Sequence, residues 1–131
     1  PSTARWGRIG RRIGTLQGYA LACLLEAIGV AAGGLWPSAP GALVAAVLLG
    51  GTFMGITALG FVAARALAPH QQHRSFAVIT VGFGLGQIVG PSAAGLLLDR
   101  THSFAAPSLL AAAAVALAAA IAWRLAPTAE R

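Results

Sequence analysis

The chain has 131 residues, of which 57% are hydrophobic and 9% charged, with a formal net charge of +6. A soluble domain keeps a wet face by alternating apolar and polar residues, whereas here apolar runs of more than about 18 residues recur, the length that spans hydrocarbon. The composition excludes a soluble globular domain and reads as an all-α, polytopic integral membrane protein.

The chain opens "PSTARWGRIGRR", without an initiator methionine or a signal peptide, so it is expected to start inside a longer protein. Its basic cluster, Arg8, Arg11 and Arg12 around Gly10, precedes the first apolar run. Breakers divide the rest of the chain into four predicted spans, at about residues 13 to 36, 41 to 67, 75 to 98 and 104 to 126. Each is long enough to cross a bilayer core of about 30 Å with some tilt. Short connections make them one bundle with antiparallel neighbours, because backbone groups in lipid pair within their own segment.

The first span carries Glu26 about midway, the single acid at membrane depth. An ionisable residue there is a functional candidate by default, here for proton coupling; the alternative is a structural carboxyl bonded to a neighbouring helix. Cys23 is the one cysteine, so no intramolecular disulfide forms. After "WPSAPG", where Pro37 and Pro40 are expected to stop helices, the second span holds Thr52 and Thr57. Both are candidates for a substrate cavity, although threonine hydroxyls commonly return to the carbonyl one turn back. Gly51 and Gly55 are spaced by four and predict a packing groove.

Pro69 marks the next stop, in "APHQQHR", and the third span then contains "GFGLGQIVGP". Gly82, Gly86 and Gly90 share one side of a helix and form a groove for a neighbouring backbone, with Gly95 continuing the small residues. Pro91 removes a backbone hydrogen bond, so Gly90-Pro91 is a candidate bend. Gln87, one turn from Phe83 and two from Thr80, gives a polar and aromatic strip. Gln87 is the leading candidate for a cavity residue. Its alternative is an amide bonded to a neighbouring helix.

The basic residues follow topology. With a cytoplasmic N-terminus, Arg5, Arg8, Arg11, Arg12, Arg65, Arg74, Arg124 and Arg131 lie inside and Arg100 alone lies outside. That is the positive-inside pattern; it places both ends in the cytoplasm and makes nucleic acid a poor partner.

"GQIVGPSAAG" (86 to 95) resembles the glycine-proline motif of the major facilitator superfamily: Gly, three residues, Gly-Pro, two residues, Gly-Gly, with Ala94 in place of one final glycine. "GRIGRR" (7 to 12) resembles the superfamily's basic loop motif at Arg8, Gly10, Arg11 and Arg12, while Gly7 stands where an aspartate is usual. The stretch from Gly50 to Phe104 is similar to the YbfB/YjiJ-type branch. The resemblance implies that the four spans are helices nine to twelve of a twelve-helix carrier in a bacterial inner membrane. The remaining helices of the same transporter would then be the neighbours, and the substrate a small solute that the sequence does not name. It also implies that the second and third spans face the central cavity while the first and fourth support it.

Two other readings use the same residues. "LLEAIGV" (24 to 30) in the first of four spans is similar to small multidrug exporters, which act as oligomers; a membrane-embedded assembly subunit would use the glycine grooves alone. No enzyme is expected, and no cofactor or metal: His70, His73 and His102 lie in loops without ligating partners or a nucleophile paired with a base.

Overall fold

The structure, a computed structural model, describes residues 14–36, 38–68 and 70–129. The basic stretch with Arg8, Gly10, Arg11 and Arg12 lies outside the described residues, as do Pro37 and Pro69. Among the described residues there are four helices: α1 (Thr15–Leu35), α2 (Ala39–Leu67), α3 (Gln72–Thr101) and α4 (Ala105–Ala129). All four are long and apolar enough to cross a membrane.

Local chemistry sets the helix ends. Gly14, at φ 95°, lies in the left-handed region before α1, which a residue without Cβ enters freely. Ser38 caps α2 by accepting from the Gly41 amide at 3.4 Å. Pro40 sits within the first turn of α2 instead of stopping a helix, because an amide is not needed there. At the far end of α3, His102 turns left-handed (φ 51°) and its amide bonds the Leu98 carbonyl at 2.7 Å. Helix α3 overruns its apolar stretch at both ends. Ladder bonds do not depend on hydropathy, and the Ser75 and Thr101 hydroxyls bond the carbonyls of Gln71 and Leu97 one turn back.

Three helices form the packed unit, with α1 between α2 and α4. Helix α1 is buried on both sides, at Leu16, Gly18, Ala20, Ala22, Cys23, Ala27 and Gly29, while on α2 Ala45, Thr52 and Leu59 and on α4 Ala112, Ala119, Ala122 and Ala126 recur with heptad spacing. This spacing keeps one seam facing its partner along the whole helix. The seam residues are mostly alanine, so the backbones approach closely. In lipid such contact supplies the association that hydrophobic burial supplies in water.

Close approach is tightest toward the C-terminal end of α1. A Cβ on Gly29 would lie 2.8 Å from the Leu48 Cβ, and one on Gly33 would lie 3.1 Å from the Ala45 Cβ. A Cβ on Gly34 would fall on the Ser108 side chain of α4. At Gly29 and Gly34 a side chain would force the neighbouring helix to shift, and at Gly33 it would be tight.

Helix α3 stands apart. No residue of α3 whose exposure is described is buried, and Val78, Val81, Leu85, Ile88 and Val89 are open along its length. Near its N-terminal end Phe76 is held by α2: the Phe61 ring centroid is 5.1 Å away, tilted by 37°, and the Arg65 guanidinium carbon lies 5.1 Å from the Phe76 centroid. A Cβ on Gly82, Gly86, Gly90 or Gly95 would meet nothing within 4 Å. The helix runs through Pro91 without a break.

Candidate functional site

The gap between α3 and the three-helix unit is a cleft of about 930 Å³. Helix α1 supplies Tyr19, Cys23 and Glu26, whose spacing of four and three places them on one face. From α2 come Phe53, Thr57 and Phe61, and from α3 Ile79, Thr80 and Phe83. Aliphatic side chains of α4, among them Val115 and Ile121, complete the wall.

The cleft occupies one half of the bundle. Its lining starts near the end shared by the α1 N-terminus and the α2–α3 connection, with Leu16, Ala64 and Leu125. Its deepest residues are Glu26, Phe53, Phe83 and Ala114. At 1.5 Å per residue these lie about 16 to 22 Å from the helix ends on that side. The other half holds the close α1–α2 and α1–α4 crossings at Gly29, Gly33 and Gly34. Glu26 thus sits at the deep end of the cleft.

The threonines divide. Thr57 and Thr80 line the cleft, and their hydroxyls donate to the carbonyls of Phe53 (3.0 Å) and Phe76 (2.8 Å), leaving only lone pairs for a ligand. Thr52 does not reach the cleft: it is 3% exposed in the packing seam, and its hydroxyl donates to the Leu48 carbonyl at 2.7 Å. Gln87 is also outside the lining. It shares a face with Thr80 and Phe83 but lies a full turn beyond Phe83, past the deep end. Gly51 would admit a Cβ with nothing within 4 Å, while Gly55 is buried.

The arrangement of helices also differs from the expected one. The first span, expected as an outer support, is the helix most enclosed by the others and contributes the carboxylate. Sequence reasoning passed over Tyr19 and Cys23, although their register with Glu26 is visible in the spacing. Phe53 and Phe61 carry no such signal, since apolar aromatic residues line lipid and cleft alike. Among the described residues no three His, Cys, Asp or Glu side chains gather as a metal site.

The family model described as "Uncharacterised MFS-type transporter YbfB" matches residues 1–123. The chain belongs to this family. The match runs from the basic stretch through all of α1, α2 and α3 and most of α4. No curated protein and no solved structure matches the chain. Membership of the MFS-type transporter family makes this a membrane protein with a transporter role.

Proposed function

We propose that the chain is the C-terminal part of a twelve-helix secondary transporter, helices nine to twelve, which moves a small solute by alternating access. The observation that supports this reading is the half-bundle cleft, which runs from one end to mid-depth at Glu26, with the close α1–α2 and α1–α4 crossings beyond it. The open end carries Arg65 and the connection with Arg74, which the positive-inside bias assigns to the cytoplasm of a bacterial cell. The state described is then inward-facing, with both chain ends inside. Glu26 serves as the proton-coupling group, because among the described residues it is the one carboxyl that lines the cleft, at membrane depth. The face of α3 with Gly82, Gly86 and Gly90 packs on the remaining helices of the same transporter, and Gly90-Pro91 gives α3 its bend.

The test is sided accessibility in the full-length protein. In a Cys23→Ala background, Thr57→Cys and Thr80→Cys are exposed to a membrane-impermeant maleimide from either face of sealed vesicles. Alternating access predicts labelling of each position from both faces. Labelling from one face only, under every condition tried, contradicts it.

A further inference from the structure

We infer that the back of α1 and α4 holds an anionic phospholipid of the cytoplasmic leaflet, its headgroup phosphate on Arg124 and the upper part of one acyl chain in the groove beside Trp123. The inference goes beyond the carrier reading and takes from it only the orientation in the membrane and the side on which the remaining helices pack.

The groove follows from the register of α4. Ala116, Ala120 and Arg124 are spaced by four, with Ala119 and Trp123 beside them, so three alanines leave a trough between Trp123 and Leu24 of α1. Its volume is about 280 Å³. Pockets for drug-sized solutes run from roughly 300 to 1,000 Å³, so the trough suits a narrow chain better than a solute. From Arg124 to Ala116 it extends about 12 Å along α4 at 1.5 Å per residue.

The groove faces away from the cleft. No residue lines both, and on α4 the cleft residues Ala114, Ala118, Ile121 and Leu125 lie on the opposite side of the helix from Ala116, Ala120 and Trp123. In the carrier the remaining helices pack on the α3 side, which leaves this face to lipid. Leu24 and Trp123 are exposed there.

Charge then selects the lipid. Arg124 lies just before Ala126, where the apolar span ends, at the end of the bundle shared with Arg65 and Arg74. An arginine there rests its stem on apolar surface while the guanidinium reaches the headgroup level, and the indole of Trp123 sits at the same interface. A guanidinium pairs with phosphate through two parallel N–H donors. A zwitterionic headgroup brings its own ammonium to the same place and offsets the attraction, whereas an anionic one brings none. The described acids stand elsewhere: Glu26 lines the cleft, and Asp99 lies near the end of α3 on the opposite side of the membrane.

The experiment uses the full-length protein in nanodiscs of equal phosphatidylglycerol and phosphatidylcholine, with dibrominated acyl chains on one lipid or the other. Bromine quenches an indole on contact, and the Trp123 signal is the difference between the wild type and Trp123→Phe. The expected result is at least twofold stronger quenching of Trp123 by brominated phosphatidylglycerol than by brominated phosphatidylcholine. In Arg124→Gln the preference disappears, and Arg124→Lys, which keeps the charge, retains part of it. Ala120→Leu fills the trough at an exposed position without altering charge and should lower quenching by phosphatidylglycerol at least twofold. Equal quenching by the two lipids in the wild type overturns the inference, and so does a preference that survives Arg124→Gln or quenching unchanged in Ala120→Leu. Absence of quenching by either lipid also overturns it, by showing a protein helix over the groove. The Arg124→Gln and Ala120→Leu comparisons can be read from total tryptophan emission, so they stand even if Trp123→Phe fails to fold. Failure of the inference is distinct from failure of the carrier reading: equal quenching with Thr80→Cys labelled from both faces removes only the lipid site, whereas one-sided labelling removes the carrier.

Discussion

A Cβ built on Gly29 of α1 would lie 2.8 Å from the Cβ of Leu48 on α2, closer than packed carbons tolerate. The two helices cross at a point where one must have no side chain. Gly29→Val should therefore cost about 1–3 kcal/mol of bundle stability, the range for overpacking a tight interior. Leu48→Ala in the same chain should restore most of it. Thermal unfolding in mild detergent, run as a double-mutant cycle, measures the coupling; additive losses would show that the two positions do not meet.

Gly34 makes the same demand on α4 through Ser108. Substituting Gly34 with leucine should lower the yield of folded protein, whereas Ser108→Gly should be tolerated. Monodispersity on size-exclusion chromatography separates these outcomes.

Gly86 and Gly90 behave differently. Within the four helices a Cβ at either meets nothing within 4 Å, so a single alanine there should leave the thermal stability of this chain alone unchanged or slightly raised by helix propensity. Replacing both with leucine in the complete carrier should block uptake at normal membrane abundance, because the face then cannot admit a neighbouring backbone. Full uptake would show the groove to be dispensable.

Phe76 is the contact by which α3 leans on α2, between the Phe61 ring and the Arg65 guanidinium. Phe76→Ala should release about 0.5–1.5 kcal/mol of aromatic contact and widen the cleft mouth. Cross-linking yield between cysteines at Val62 and Val78 should fall accordingly; an unchanged yield would place the restraint elsewhere.

Glu26→Gln keeps the shape of the side chain and removes its titration. In the complete carrier it should abolish proton-linked uptake, read as loss of solute-driven pH change in dye-loaded proteoliposomes. Uptake that stays coupled would end the proton role of Glu26.

The fold was legible where physics acts through length and composition. Four apolar runs had to become four helices, since unpaired backbone is excluded from lipid, and their ends differ by a few residues, most at both ends of α3 and at the end of α4. The depth of Glu26 was legible for the same reason. What was not legible is which faces meet. Gly29, Gly33 and Gly34 form the tight crossings, yet in the sequence they look no different from Gly82, Gly86 and Gly90, which face open space among the described residues. Periodicity gives a face but no partner. Gln87 shows the companion limit: it is on the correct face of α3, and its exclusion from the cleft comes from where along the helix the cleft ends.

Alternating access as proposed predicts that α3 moves against α2 when the cleft opens and closes. Spin labels at Val62 and Val78, both exposed and both outside the cleft lining, report that motion by pulsed electron resonance in the reconstituted full-length protein. The account predicts two distance populations whose ratio changes between acidic and alkaline buffer. A single narrow distance, the same at every pH, would contradict it.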